Sequence, residues 1–297
     1  AGYQLDIFPG ERHDRKGKIE FSKDKSGLLI RWTNIDDEFL NETPQLRAIV
    51  RYGIGYDNID LQAASVHNVR VSNVQGYARH SVSDHAIGMM YACARALPQG
   101  QKLLREKYGA PPVKEVFEFH DRTLGIIGLG NIGGTLCQKV KPLFAKVLAT
   151  DPYIDDERFD LLGATKVSLE ELLAESDVIS VHCNLTEETT GLIDAEKIRL
   201  MHRKPILINT ARGPVVNEDD LYECLQQGYL HSAGIDVFCD EPPLANRDAL
   251  LSHPRVIATG HYAWYSTQAS KELQRRAADN LLMMLQGGIP HDCLNPE

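Results

Sequence analysis

TLGIIGLGNIGGTL, residues 123–136, limits what this chain can fold into more than any other stretch. A run of buried-strand residues meets Gly128-x-Gly130-x-x-Gly133, and a helical pattern follows from Ile132 to Leu143. Glycines at that spacing permit a tight turn, close approach of a pyrophosphate to the backbone, and packing of helix on strand. The unpaired N–H groups and dipole of the helix start favour an anion. Gly128, Gly130, Asn131, Ile132 and Gly133 are therefore the candidate pyrophosphate-binding turn. The next strand, KVLATD, ends at Asp151, 18 residues after Gly133, where a carboxylate accepts hydrogen bonds from a ribose diol and repels a 2′-phosphate. Pro152, Tyr153 and Ile154 add no cation there, so the pattern favours NAD over NADP.

The flanking sequence repeats the same alternation. KVLATD, VISVHC, ILINTA, SAGIDVF and RVIATG join TLGIIGLG as six short strands, separated by helical segments such as Leu169 to Ser176, Ala195 to Met201 and Glu218 to Gln227. That is the pattern of one doubly wound parallel sheet. Earlier in the chain YQLDIF (3–8), GLLIRW (27–32), RAIVRYG (47–53) and VRVSNV (69–74) read as strands, with helical IDDEFLNE and NIDLQAASVH between the later ones. A longer helix is expected from Ser81 to Leu97, with Val82, His85, Ala86, Met89, Met90, Cys93 and Leu97 near one face, spanning two domains. Gly109 to His120 reads as a polar connection, Arg12 to Lys25 as a solvated loop, and residues 268–288 as an amphipathic helix ending at Gly287 and Gly288.

Ligands of open α/β sheets bind at the carboxyl ends of the strands. Three successive strand ends of the second half carry an arginine, an acid and a histidine: Arg212 in INTARG, Glu241 in DVFCDEP and His261 in ATGHYAWYS. Hydride exchange between a nicotinamide and a carbonyl needs a group to supply or remove a proton at oxygen, and imidazole, with a pKa of roughly 6.5, suits that task. A neighbouring carboxylate orients the ring and stabilises the imidazolium, which fits Glu241. A guanidinium forks onto a substrate carboxylate, which fits Arg212.

Composition excludes other classes. A formal charge of -9 argues against a nucleic-acid surface. No apolar run approaches the ~20 residues needed to cross a bilayer, and the first residues carry no signal-peptide pattern. Six scattered cysteines without a C-x-x-C pair read as reduced core residues, so the cytosol is the expected compartment. His80, Asp84 and His85 share one turn and read as surface and capping groups, so no metal is expected. His182 reads as a packed or cofactor-lining residue.

RYGIGYDNID, GLGNIG, NTARG, DVFCDEP and GHYAWYS, in that order from Arg51 to Ser266, resemble the D-isomer-specific 2-hydroxyacid dehydrogenase family. RYGIGYDNID and HYAWYSTQAS are most similar to its C-terminal binding protein branch, while glyoxylate, hydroxypyruvate and phosphoglycerate dehydrogenases share the framework. The resemblance implies an α/β fold of two doubly wound parallel-sheet domains: a Rossmann NAD-binding domain, residues 78–266, inserted in a flavodoxin-like substrate domain, residues 1–77 plus 267–297. It implies Arg212, Glu241 and His261 as the catalytic set, and Arg51, Tyr52, Gly53, Ile54 and Trp264 around the substrate, with Gly55 in the same turn. Thr210, Ala211 and Asp236 would face the nicotinamide. It further implies a homodimer, a cleft closing over a small 2-keto or 2-hydroxy acid, and hinges near Asn73 to Ser81 and Ser266 to Gln268.

Two departures stand out: Gly260 and Asn184 occupy positions where the family usually has proline. Against the family's usual pattern, the strand and helix that precede AGYQLDIF are expected to be missing, and no regulatory module is expected after Pro290. The rival expectation is a dinucleotide-regulated, corepressor-like binding protein with little turnover. An L-hydroxy-acid dehydrogenase is disfavoured because the nucleotide turn lies at Gly128 rather than near the start.

Overall fold

The computed structural model describes residues 2–106, 115–243 and 245–296. They divide into two compact units, Ala1–Tyr77 with Ser266–Glu297, and Ala78–Tyr265.

The first unit runs α1 (Arg15–Ser22), β1 (Gly27–Ile30), α2 (Asp37–Asn41), β2 (Ala48–Arg51), α3 (Leu61–Val66) and β3 (Arg70–Ser72). Its strands form a parallel sheet in the order β1-β2-β3. The three helices start in the same way: Asp14, Asp36 and Asp60 accept hydrogen bonds from the N–H groups of Gly17, Phe39 and Ala63. Such caps satisfy donors that the first helical turn leaves unpaired. Phe39, Leu40, Ile49, Ala64 and Val71 form the core.

Two expectations fail here. Residues 3–8 join no ladder, and Tyr3, Leu5 and Ile7 are exposed; apolar alternation makes a strand only where a partner backbone supplies the hydrogen bonds. The stretch from Arg12 to Lys25 is not a loop, because the Asp14 cap nucleates α1 within it.

The second unit begins with α4 (Arg79–Ala94) and α5 (Leu97–Glu106), then β4 (Thr123–Ile127), α6 (Asn131–Val140), β5 (Lys146–Thr150), α7 (Asp156–Leu162) and β6 (Thr165–Lys166). It continues with α8 (Leu169–Glu175), β7 (Val178–Val181), α9 (Ala195–Arg199), β8 (Ile206–Asn209), a 3-10 turn (Gly213–Val215), α10 (Glu218–Gln227), β9 (Ser232–Ile235), α11 (Asp248–Leu251) and β10 (Val256–Ala258). Finally α12 (Thr267–Leu285) returns to the first unit.

The seven strands of the second unit are parallel, in the order β10-β9-β8-β7-β4-β5-β6. The order reverses beside β4, which is where an open α/β sheet leaves its ligand crevice. Side chains alternate between two cores. Leu124, Ile126, Val178, Ile206 and Ile208 pack with α4 and α6 residues such as Met89, Met90, Leu136 and Cys137. Ile127, Ile179, Val181, Leu207 and Ile235 pack with Leu172, Ile198, Leu221 and Leu225 of α8, α9 and α10.

Further corrections follow. The expected helix to Leu97 breaks at Ala96, whose φ is 48°, so Leu97 opens α5 and is exposed. All of α4 belongs to the second unit. The connection from Gly109 to His120 lies partly outside the described residues, but Phe119 is buried and stacks on Phe144 with centroids 4.6 Å apart, so its end is core rather than polar linker. Cys239 is exposed rather than buried. No helix among the described residues is long and apolar enough to cross a membrane.

Candidate active site

His261 follows β10 at a turn, with φ 53°, a left-handed conformation that a non-glycine residue adopts at some cost. Asp236, at the end of β9, holds it there. The His261 N–H donates to the Asp236 carbonyl at 2.7 Å. The next two N–H groups, of Tyr262 and Ala263, donate to the Asp236 carboxylate at 3.1 and 2.9 Å. Three consecutive backbone donors thus converge on one buried residue, two of them on its carboxylate and one on its carbonyl. Trp264 closes the turn, its indole N–H donating to the His261 carbonyl at 3.1 Å.

The turn brings His261 Nδ1 to 2.6 Å from Glu241 Oε2. Burial alone would push the Glu241 carboxyl up. The hydrogen bond and charge of His261, the Phe238 N–H and the positive charge of Arg212 outweigh burial and hold it below the usual glutamate value. Glu241 is thereby kept as an acceptor, which fixes the proton on Nδ1 of the ring.

Arg212 precedes the 3-10 turn after β8 in extended backbone. Asn209 organises this corner: its side-chain N–H donates to the Arg212 carbonyl at 2.9 Å, and its oxygen accepts from the Ala211 N–H at 3.0 Å. Gly213 lets the corner meet the loop carrying Glu241, since a Cβ there would lie 2.0 Å from the Phe238 carbonyl carbon. Glu218, buried at the start of α10, braces the same loop by accepting from the Cys239 N–H at 2.6 Å, and Arg247 Nε lies 2.7 Å from its other oxygen.

The glycine turn fits a dinucleotide. Gly128 has φ 91°, and a Cβ on it would stand 2.6 Å from the Cys183 backbone nitrogen; one on Gly133 would stand 2.0 Å from the Gly128 carbonyl oxygen. Gly130, by contrast, faces open space at the start of α6, where no side chain caps the helix. The amides of Asn131, Ile132 and Gly133 begin that helix and suit a pyrophosphate. Asp151 accepts from Leu129 N–H at 2.8 Å and from Tyr153 N–H at 3.0 Å. Each carboxylate oxygen retains a further lone pair for a ribose hydroxyl.

Two buried polar atoms on neighbouring strand ends lack a partner among the described residues: His182 Nδ1, after β7, and Thr210 Oγ1, after β8. Burial holds the His182 pKa down to about 4, so its ring is neutral; Nε2 meets Ser180 Oγ at 2.8 Å. Unmet buried polar atoms are costly, and a polar ligand would satisfy them.

In the first unit, Arg51 ends β2 and curls over the turn that follows, with Nη1 donating to the Tyr52 carbonyl at 3.0 Å. Gly53, at φ 148°, leaves room for it: a Cβ would lie 1.6 Å from that nitrogen. Asn73 donates to the Ile54 carbonyl at 2.7 Å and fixes the far side. Arg12, Arg31 and Arg51 place their guanidinium carbons 4.4, 5.3 and 5.9 Å from the Trp32 ring centroid, a concentration of positive charge beside this turn. Elsewhere, Asp84 pairs with Lys139 at 2.7 Å.

Comparison with known proteins agrees with the geometry. Residues 87–263 match the family model described as D-isomer specific 2-hydroxyacid dehydrogenase, NAD binding domain. The chain is 34% identical to a glyoxylate reductase of Korarchaeum cryptofilum, over 99% of this chain and 90% of that one. It is 32% identical to a D-3-phosphoglycerate dehydrogenase of Mycobacterium bovis, over 99% of this chain but 56% of the relative, so it spans about half that protein's length. Among solved structures, the D-lactate dehydrogenase of Aquifex aeolicus complexed with NAD and lactic acid superposes with a TM-score of 0.88 at 27% identity, covering 94% of this chain and 89% of that one. An acyclic imino acid reductase in complex with NADPH and D-Arg gives 0.86 at 25% identity, over 95% and 89%.

Proposed function

The chain belongs to the D-isomer-specific 2-hydroxyacid dehydrogenase family, and from that membership we propose that it interconverts a D-2-hydroxy acid and its 2-keto acid with NAD. The observation that carries the reading is the 2.6 Å contact between His261 Nδ1 and Glu241 Oε2. When bound, the reduced nicotinamide supplies hydride to the keto carbon. His261 then gives its Nε2 proton to the carbonyl oxygen, because Nδ1 is committed to Glu241. Glu241 stabilises the imidazolium before transfer and keeps the ring oriented after it. Arg212 holds the substrate carboxylate with a forked pair of hydrogen bonds. By the family resemblance Arg51, Tyr52, Gly53, Ile54 and Trp264 would also touch the substrate, but the N–H groups of Tyr52 and Gly53 already donate to the Ile30 and Arg51 carbonyls at 2.7 and 2.8 Å.

The turn from Gly128 to Gly133 would hold the pyrophosphate and Asp151 the adenosine ribose. Thr210, Ala211 and Asp236 would lie on the nicotinamide side. The carboxylate of Asp151 supports NAD over NADP, since it would repel a 2′-phosphate. We further place the protein in the cytosol as a homodimer: its six cysteines are free, and the dimer follows from the family resemblance.

The test is NADH oxidation against a panel of small and bulky 2-keto acids, with NADPH and His261→Gln as controls. A preferred acid whose reduction the variant loses supports the dehydrogenase and names its substrate. Tight NADH binding without turnover on any acid overturns it in favour of a dinucleotide-regulated binding protein.

A further inference from the structure

His85 lies on α4, remote in sequence from every residue assigned to the reaction, yet its ring reaches the foundation of the His261 turn. Its Nε2 stands 3.0 Å from Thr259 Oγ1, and Thr259 Oγ1 stands 2.5 Å from Asp236 Oδ1. The direction of this chain follows from proton counting. Asp236 already acts as acceptor toward the Tyr262 and Ala263 N–H groups. Thr259 therefore gives Asp236 its one hydroxyl proton and has only lone pairs to offer His85. His85 Nε2 must carry hydrogen, so the chain runs from His85 through Thr259 to Asp236.

The same ring also meets Tyr262 edge-on, with centroids 5.3 Å apart and planes at 81°. His85 thus touches the His261 turn on both sides: Thr259 before it and Tyr262 after it. Its neighbours on the helix do not compete for it, because Asp84 is engaged by Lys139 and Ala86 is core.

We propose that His85 is a positioning residue for His261: through Thr259 and Asp236 it holds the turn in the left-handed conformation that aims the imidazole at Glu241. This rests on reading His261 as the proton donor. Without the His85 N–H, Thr259 is free to rotate its hydroxyl away from Asp236, and the carboxylate's grip on the Tyr262 and Ala263 N–H groups loosens.

The test compares His85→Leu, which keeps bulk and loses the donor, with His85→Gln, whose amide can still donate to Thr259. Trp264 reports the turn directly, since its indole is bonded to the His261 carbonyl. The chain has two tryptophans, so a Trp32→Phe background isolates the Trp264 emission. In the Leu variant that emission should shift, and kcat should fall about tenfold, as expected for one lost buried hydrogen bond, with NADH Kd and keto-acid KM within about twofold of the parent. The Gln variant should recover most of both.

Parental emission and kcat in His85→Leu overturn the proposal, as does a Gln variant no better than Leu. If His85→Leu does not fold, Thr259→Val breaks the chain at its next link and must shift the emission in the same way; a parental spectrum there overturns it equally. The emission is read without substrate, so it stands even where no keto acid is turned over. His261→Gln tests the chemical reading separately.

Discussion

Asp151 accepts a hydrogen bond from the Leu129 N–H at 2.8 Å, which ties the end of β5 to the glycine turn after β4. The residue expected to select the cofactor also braces the loop that would hold its pyrophosphate. Asp151→Asn keeps an acceptor oxygen and removes the charge, whereas Asp151→Ala removes both. NADPH should therefore gain on NADH in both variants, but the Ala variant should bind both cofactors more weakly. Fluorescence titration with the two nucleotides decides it; unchanged discrimination in both variants removes Asp151 from the cofactor site.

His261→Gln should lower turnover by roughly 10²- to 10⁴-fold while NADH binding survives, in line with the worth of a positioned acid–base group. Steady-state rates with the preferred keto acid, alongside a cofactor titration, separate the two effects.

Glu241→Gln keeps the shape and removes the charge, and kcat should fall by about 10²-fold or more because the imidazolium loses its counter-charge. Stability gives a second reading. Glu241 is held below its ordinary value of 4.5 in the folded protein, so its contribution is fully present above that pH and is lost as pH falls through the lower folded value. The gap in Tm between parent and variant should hold from neutrality to about pH 4.5 and close below it.

His182 gives the opposite sense of experiment. Its folded pKa is lowered from 6.5 to about 4, so between those values the unfolded chain binds a proton that the native ring refuses. Stability should fall as pH drops through that window, and His182→Gln should remove that part of the slope. Thermal melts from pH 7 to pH 4 measure it; equal slopes in parent and variant reject it.

Glycine to alanine should have contrasting effects at two positions. At 213 a Cβ would strike the Phe238 carbonyl, so Gly213→Ala should cost about 1–3 kcal/mol, by the usual scale of overpacking, and lower kcat by parting Arg212 from Glu241. At 130 the Cβ meets open space, so Gly130→Ala should leave the urea midpoint unchanged and weaken NADH binding. Denaturation and titration of the pair provide the check.

The elements that were legible are those whose residues carry their own signal. β7 and β8 are short, mostly apolar and fully buried runs because both faces of the sheet are covered, and Asp60 and Ser266 mark helix starts within a few residues. α7 was hidden because its buried face rests on Phe159 and Leu162 in an otherwise acidic stretch, and β6 has two residues.

In the site, strand ends pointed to Arg212, Glu241 and His261, and side-chain chemistry paired the last two. What no local pattern could reveal is support from afar. His85 and Thr259 are 174 residues apart, and Glu218 braces Cys239 from the start of a different helix. The motif NTARG showed the arginine but not that its asparagine holds the corner, because a side chain bonding its own loop leaves no periodicity.

The return of α12 to the first unit sets an order of events during synthesis. Leu281 and Leu285 pack over Gly27 of β1, Asn280 donates to Ser72 in β3 and Val71 donates to Asn295. Residues 78–265 form one uninterrupted stretch that can collapse as it leaves the ribosome, while β1, β2 and β3, made before it, wait for their covering helix until that stretch has been translated. The three-stranded sheet is therefore begun before the seven-stranded one and completed after it.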